Sequence, residues 1–381
     1  LSDLELLSDT EKHQLLHDWN NTGHQQRDEP LTQLFEAQVA RTPDVNAVIY
    51  QDQVVTYREL NIRANRIAHR LIGLGVGPEQ IVALAVPQSI DLIAALMGIL
   101  KTGAAYLPID VGFPADRIRF MIEDAGAMAV LTTTDAESAL PDEPAHRVLL
   151  DDPASAAVTG TFPSVDPVDA DRHRPITPAD PTCVMYTSGS TGRPKGVALL
   201  SGALANLTFW NRARTPGRPG RRVAQFANIT FDVSAEEILS ALLHGKCLVV
   251  PPQEIRVDAA RLVGWLAQHE VQDLFGPNLM LEELYRAANA SGAVLPALRS
   301  ISQGGELHVP REAAREFHAR HPECRLYNRY GPTETHVCAT TYPLPRDVSD
   351  WPSAPPIGRP VANTRVYVVD RFGKPTPIGV P

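Results

Sequence analysis

Apolar positions along this chain follow two periods, one helical and one extended, and the two alternate. Leu31, Leu34, Phe35 and Val39 share one face of a predicted helix over 31–41. The first 20 residues mix leucine pairs with charges and predict one or two short helices able to lie on a neighbouring surface. A hairpin is predicted from 47–50 and 54–56 around Gln51, Asp52 and Gln53. Leu60, Ala64, Ile67, Ala68 and Leu71 mark a helix over 57–74, with Gly75 placed to cap it. A buried strand over 81–86 leads into a helix over 90–101. Further strands are predicted at 129–132, 147–150, 183–187, 223–226, 247–250, 273–275, 299–302 and 325–327. Helices fall between the later ones, at 235–243, 259–269, 280–290 and 311–319. Residues 151–180 are rich in Asp, Pro, Ala and Thr without a period, and read as a loop or linker. After Gly331 the pattern turns to short β segments, 365–370 the clearest.

Strands alternating with helices imply an α/β fold with mostly parallel sheets covered on both faces, and the last ~50 residues look like a smaller all-β appendage. A length of 381 residues suits two or three domains. The net charge of −9 argues against a protein that coats nucleic acid. Cys183, Cys247, Cys324 and Cys338 show neither metal-ligand spacing nor a disulfide framework, and read as reduced cytosolic thiols. The most apolar stretch, 81–100, is broken by Pro87, Gln88, Ser89 and Asp91, so it is a poor membrane span. No basic region or apolar signal core opens the chain, and its last residues stop as if mid-segment. Both ends are expected to be cuts from a longer, cytoplasmic polypeptide.

Four places carry candidate chemistry. The first is the run Thr187, Ser188, Gly189, Ser190, Thr191, Gly192, Arg193, Pro194, Lys195, Gly196 after an apolar strand. Glycines let backbone amides approach a phosphate, the hydroxyls add donors and Lys195 adds a cation, which suits a triphosphate. It is not the Walker loop, because Pro194 stands where that pattern needs Gly, and a P-loop kinase is excluded on that ground. The second is 328–334, where an aromatic followed by Gly-Pro presents a ring on a tight turn. The third is Phe231-Asp232, where Asp232 or Ser234 could equally serve as a helix N-cap. The fourth is Glu236, a carboxylate one turn further on. Arg214, Arg218, Arg221 and Arg222 read as a solvated basic loop.

The run 186–196 resembles the phosphate-loop signature of adenylate-forming enzymes. Four further segments resemble the adenylation domains of nonribosomal peptide synthetases in particular. They are Val55-Thr56-Tyr57-Arg58-Glu59-Leu60, the stretch from Leu100 to Asp110, Phe231-Asp232-Val233-Ser234, and Asn328-Arg329-Tyr330-Gly331-Pro332-Thr333-Glu334. The resemblance covers essentially the whole chain, in order and spacing.

It implies two large sheet-and-helix subdomains in αβαβα layers and a smaller β-barrel-like one. The division it suggests is a linker over 1–25, the core over 26–335 and a β-rich subdomain over 336–381, cut before the C-terminal lid. It implies activation of an amino acid with ATP and Mg²⁺, then transfer to phosphopantetheine on a peptidyl carrier domain. An upstream condensation domain would be a further partner, and an MbtH-like protein could be another. Without the lid and its lysine, weak or no turnover is expected; Lys374, in a Gly-Lys-Pro turn, is not that lysine.

Residue by residue, the resemblance implies that Thr187, Ser188, Gly189, Ser190, Thr191, Gly192 and Lys195 hold phosphates. Tyr330 would stack on adenine, with Asn328 on its amino edge and Gly304, Gly305, Glu306 and Gly331 around it. Thr333 would contact the α-phosphate and Glu334 would help hold Mg²⁺. Lys195, Thr333 and Glu334 are therefore the catalytic candidates. Asp232 would bind the α-ammonium. Phe231, Val233, Glu236, Phe275, Ile301, Gln303, Arg329, Val337 and Cys338 would complete the amino-acid pocket. Glu236 needs a cationic partner if it is buried. That partner could be a basic substrate side chain, or Arg329 with a polar neutral substrate; alternatively Arg329 reads an acidic substrate while Glu236 points away. The rival functions are an acyl- or aryl-CoA ligase of the same superfamily, which Asp232 argues against, and a nucleotide-binding scaffold without turnover.

Overall fold

A computed structural model describes residues 7–24, 29–141, 146–188, 193–214, 218–305 and 309–380. In chain order the strands are β1 (Asn46–Tyr50), β2 (Gln53–Thr56), β3 (Ile81–Ala85), β4 (Ala105–Pro108) and β5 (Ala129–Thr132). Next come β6 (His146–Leu149), β7 (Pro181–Thr187), β8 (Lys195–Leu200), β9 (Arg222–Ala224) and β10 (Cys247–Val250). The last five are β11 (Asp273–Pro277), β12 (Ser300–Gly304), β13 (Arg325–Tyr330), β14 (Thr340–Pro343) and β15 (Arg359–Pro360). They form a six-stranded sheet, β6-β5-β3-β4-β7-β8, and a nine-stranded sheet, β15-β14-β13-β12-β11-β9-β10-β1-β2. The inner strands pair in parallel, while β2, β8, β14 and β15 run antiparallel at the edges.

Three apolar clusters explain the layers. The largest lies between the sheets: it joins Val82 and Leu84 of β3 to Val48, Leu248 and Val250 of β1 and β10 through the helices Tyr57–Gly73, Ile90–Thr102 and Val233–Leu242. A second packs helices Ala259–Gln268, Asn278–Ser291 and Glu312–Arg320 on the far face of the nine-stranded sheet. A third packs helix Ala115–Asp124 on the far face of the six-stranded sheet. Helices, sheet, helices, sheet and helices thus alternate as expected. The helix Ile90–Thr102 is apolar almost all round because it is covered on all sides. Ser89 caps its N-terminus by accepting from Leu92 N–H at 3.1 Å, and Gly103 ends it at φ +90°.

Close helix packing sets one glycine. A Cβ on Gly98 would stand 2.8 Å from Ile67 Cγ2 and 3.0 Å from the Ala64 carbonyl oxygen. Alanine gains about 1 kcal/mol of helix propensity, but overpacking costs about 1–3 kcal/mol. Gly98→Ala is expected to lower stability by about 1 kcal/mol, read as a lower urea midpoint; a raised midpoint would refute the packing argument.

Several expectations need correction. Residues 151–180 are not all loop: helix Pro153–Gly160 starts where Asp152 accepts from Ser155 N–H at 2.7 Å, with Pro153 in its first turn. The expected boundary at 335/336 falls inside the nine-stranded sheet, because β14 pairs with β13 and β15 with β14. No barrel is present among the described residues. The segment 365–370 forms no strand, only the single bridge Val369–Pro375, and its side chains are exposed.

The N-terminal segment is docked to the body. Its helix Asp9–His13 carries a Ser8/Glu11 capping box. Asn20 exchanges two hydrogen bonds with the Val366 backbone, and Thr22 Oγ1 donates to Thr364 C=O at 2.7 Å. All four cysteines are free and buried. Among the described residues, no helix is long and apolar enough to cross a membrane.

Candidate functional site

The order of strands in the large sheet creates the site. From β9 the chain moves to β10 on one side, then returns to β11 on the other and continues outward to β12 and β13. Parallel α/β sheets bind ligands beyond the C-terminal strand ends at such a reversal. A cavity of about 440 Å³ opens there. It is lined by Phe226 just after β9, Phe275 to Pro277 of β11, Ser302 to Gly304 of β12, and Arg329 of β13. The start of helix Val233–Leu242 closes one wall with Phe231, Asp232, Val233 and Glu236, and Val337 and Cys338 close another.

Nine of the ten predicted amino-acid residues therefore meet in one cavity: Phe231, Asp232, Val233, Glu236, Phe275, Gln303, Arg329, Val337 and Cys338. Ile301 does not join them. It is fully buried beneath, in the apolar cluster with its cross-strand neighbours Leu274 and Leu326. Sequence reasoning missed Asn228, Arg256, Pro277 and Ser302, which also line the cavity. The signal for three of them was position: Ser302 and Pro277 lie in the C-terminal halves of parallel strands and Asn228 in the segment that follows one. Arg256 reaches in from its own short helix and donates to the Phe226 carbonyl and to Gln88 Oε1.

Asp232 occupies an N-cap position without capping the helix. Ser234 does not cap either, since its hydroxyl donates backward to the Phe231 and Ile229 carbonyls. The Asp232 carboxylate is thus left for the cavity. Burial pushes its pKa up; the Thr333 hydroxyl and Val233 N–H pull it down, and Glu236 and Glu334 push it up again, with a net rise. A cation bound beside it would reverse that rise.

Glu236 and Arg329 form a buried ion pair, Nη1 to Oε1, at 2.5 Å. Arg329 Nε also donates to Cys338 Sγ at 3.3 Å, and its guanidinium lies over the rings of Phe275 and Trp210 at 5.5 and 5.7 Å. Burial works against the guanidinium's charge, but Cys338 and Glu236 outweigh it, and Arg329 is held above its ordinary pKa. Burial raises the Cys338 thiol.

The chain reaches Val337 and Cys338 through two consecutive left-handed residues, His336 at φ +60° and Val337 at φ +73°. A β-branched residue there is strained, which is the kind of backbone found at sites. Gly331 makes that geometry possible. A Cβ on it would stand 2.6 Å from the Val337 carbonyl oxygen and 2.8 Å from Ala339 N.

The predicted nucleotide residues lie beside the cavity. Gly304, Gly305 and Gly331 line it, Gly305 at φ +95°. Tyr330 ends β13 with its ring half exposed. Asn328 donates its amide to the Pro356 carbonyl at 2.9 Å. Thr333 and Glu334 form a 3₁₀ turn that packs against β8, the strand that Lys195 opens, and Lys195 pairs with Thr187 across β7 and β8. Ser188 is exposed at the end of β7. Gly189, Ser190, Thr191, Gly192 and Glu306 lie outside the described residues. Among the described residues no cluster of three metal-ligating side chains occurs. Glu334 is an exposed hard-oxygen donor next to the phosphate candidates, which fits Mg²⁺ held by one carboxylate and phosphate oxygens rather than by a protein cage.

The sequence profile of AMP-binding enzymes matches residues 35–381. The chain is 35% identical over 385 residues to gramicidin S synthase 2 of Brevibacillus brevis, covering 100% of this chain and 8% of that protein. It is 36% identical over 391 residues to a dimodular nonribosomal peptide synthase of Bacillus subtilis strain 168, covering 100% of this chain and 16% of that one. The crystal structure of the nonribosomal peptide synthetase FmoA3 with α-methyl-L-serine-AMP bound superposes with a TM-score of 0.88 at 29% identity, over 98% of this chain and 41% of that chain. The chain thus spans a small part of the length of these relatives.

Proposed function

Because the chain belongs to the AMP-binding enzyme family, we propose that it activates an α-amino acid as its aminoacyl adenylate for nonribosomal peptide synthesis. One observation carries this reading: Asp232 lines the cavity with a carboxylate that does not cap its helix, and the Thr333 hydroxyl is near enough to lower its pKa. An anion for an ammonium group and a donor for a phosphate thus lie side by side. An amino acid whose amino group is held by Asp232 would bring its carboxylate toward an α-phosphate held by Thr333.

In the proposed reaction a carboxylate oxygen attacks the α-phosphorus and the bond to pyrophosphate breaks. A carrier-domain phosphopantetheine thiol then attacks the acyl carbon, and AMP leaves. Positioning and charge neutralisation supply most of the rate. Lys195 would neutralise charge on the triphosphate, and the hydroxyls of Thr187 and Ser188 would donate to it, together with Gly189, Ser190, Thr191 and Gly192. Thr333 would hold the α-phosphate. Glu334 would hold Mg²⁺, which would neutralise the leaving pyrophosphate. Tyr330 would stack on adenine. Asn328, its amide N–H already used, would offer Oδ1 to the adenine amino group, and the backbone around Gly304, Gly305 and Glu306 would pack on the base. The substrate would be a basic or polar amino acid. Its partners would be a peptidyl carrier domain, an upstream condensation domain and an MbtH-like protein, in the cytoplasm.

Calorimetric titration with aminoacyl-sulfamoyl adenosines tests this reading against fatty-acyl and aryl counterparts. At 100 times its dissociation constant a ligand adds about 2.7 kcal/mol of stability, so thermal unfolding gives a second readout. Selective binding of aminoacyl compounds is expected; preference for fatty-acyl or aryl ones would overturn the amino-acid assignment. Gly331→Ala would push a Cβ into the Val337–Ala339 backbone, and is expected to weaken adenosine-ligand binding at least about tenfold, or 1.4 kcal/mol. Unchanged affinity would show that Gly331 does not shape the site.

A further inference from the structure

Phe226, Ala227, Asn228, Phe231 and Asp232 all line the cavity and all come from one stretch of chain. That stretch runs from the end of β9 to the start of helix Val233–Leu242. The strand ladder does not hold it. As the chain leaves β9, its last backbone bond to β10 is from Gln225 N–H to the Val249 carbonyl at 2.9 Å. The next two backbone N–H groups turn to a side chain. Phe226 N–H donates to Glu237 Oε1 at 3.2 Å, and Ala227 N–H donates to Oε1 and Oε2 at 3.2 and 3.1 Å. Gln225 Nε2 donates to Glu237 Oε2 at 3.1 Å and to the Ala227 carbonyl at 2.8 Å. Buried backbone groups need partners, and here Glu237 stands in for the strand that is missing.

Glu237 is fully buried and is not one of the cavity's lining residues. Burial pushes its pKa up to about 8, against the pull of the Ala227, Phe226 and Gln225 hydrogen bonds and of the Arg256 charge. An apolar side chain would fill the same place without that desolvation cost. What it would lack is an acceptor, and ionised or neutral the carboxyl supplies one. The hold acts on both ends of the stretch. Glu237 belongs to the helix whose N-cap position is Asp232, so it fixes the far end while it grips the near one. Between them Phe231 N–H donates to the Asn228 carbonyl at 2.9 Å. Asn228 Nδ2 donates to Asp110 Oδ2, just past β4, at 3.0 Å, and Gln88 Nε2 steadies Gln225 by donating to its Oε1 at 2.7 Å.

We propose that Glu237 is a positioning residue for the activation reaction. By accepting from Phe226 and Ala227 it closes residues 226–232 into a loop, and so holds the Asp232 carboxylate where the substrate ammonium binds. The proposal rests on the amino-acid-activating reading above.

The test compares the parent protein with Glu237→Met and Glu237→Gln. Methionine has nearly the same length and no oxygen acceptor; glutamine keeps one carbonyl oxygen for the two backbone N–H groups. Calorimetric titration of the parent uses ornithyl-, glutaminyl-, glutamyl- and methionyl-sulfamoyl adenosine, and the compound it binds tightest is carried to the variants. Glu237→Met is expected to weaken that compound at least about tenfold, and to weaken AMP, which has no ammonium for Asp232, by less. Glu237→Gln should stay within a few-fold of the parent. Hydrogen exchange of the ligand-free proteins reads the loop itself. In Glu237→Met it should rise over 226–232 and stay unchanged in β11, β12 and the helix Asn278–Ser291. Unchanged affinity in Glu237→Met, an equal loss for AMP, an equal loss in Glu237→Gln, or exchange that rises across the whole chain overturns the proposal and leaves the amino-acid reading standing. Failure of the parent to bind any of the four compounds overturns that reading and the proposal with it.

Discussion

Asp232→Asn is expected to weaken binding of an aminoacyl-sulfamoyl adenosine by one to two powers of ten, with affinity for AMP retained. A hydrogen bond to a charged group contributes about 1.5–3 kcal/mol, and the substrate ammonium would lose one. The same substitution should not destabilise the ligand-free protein. Burial, with Glu236 and Glu334 nearby, raises the Asp232 pKa above its unfolded value despite the Thr333 and Val233 contacts. A raised carboxyl pKa gives stability that is fully present below the unfolded pKa and lost as pH rises through the folded one. Ionised Asp232 is therefore a cost at neutral pH, and asparagine relieves it. Urea unfolding should show the variant's stability relative to the parent improving between pH 4 and pH 7. A variant that loses binding and also loses stability at neutral pH would show that Asp232 holds the fold rather than the substrate.

Legibility in the sequence tracked how local the cause was. The helix Leu31–Arg41 and the strand Cys247–Val250 have the expected bounds because one apolar face, or one continuous apolar run, defines each. The helix Pro153–Gly160 buries no residue and so leaves no apolar stripe. Only Asp152 followed by Pro153 announced it. The strand β8 was hidden because Lys195 and Gly196 belong to a run that reads as a loop, and its pairing with β7 comes from the turn back along the sheet. The edge strands β14 and β15 read as a separate appendage because pairing to β13 is not a local property.

The site divides in the same way. Asp232 and Arg329 were visible as chemistry, but their common cavity depends on the reversal of strand order at β9, which no short window contains. Ile301 was misplaced because two residues of one strand, Ile301 and Gln303, share a side-chain parity but differ in depth. Ile301 lies among Leu274 and Leu326, whereas Gln303 has passed the end of the packed core. Of the three arrangements open for Glu236 and Arg329, the structure contains the internal pair.

That pair governs the largest expected effect on stability. Arg329→Met removes the cation and leaves the Glu236 carboxylate buried with only Asn211 beside Oε1. Breaking a buried pair from one side costs about 3–5 kcal/mol, a large share of the stability of any domain. Replacing both partners, as in Arg329→Met with Glu236→Leu, removes the desolvation cost along with the attraction, and is expected to be nearly neutral. A double-mutant cycle in urea reads the difference: the pair of substitutions together should cost far less than the sum of each alone. Simple additivity would mean that the two side chains do not act as a unit. The double variant would also replace an ion pair on the cavity wall with apolar side chains. Its preference among aminoacyl-sulfamoyl adenosines should then move toward apolar side chains such as methionyl. Stability and selectivity would then change through the same two side chains, which is why a chain that gains little fold stability from a buried ion pair would retain one here.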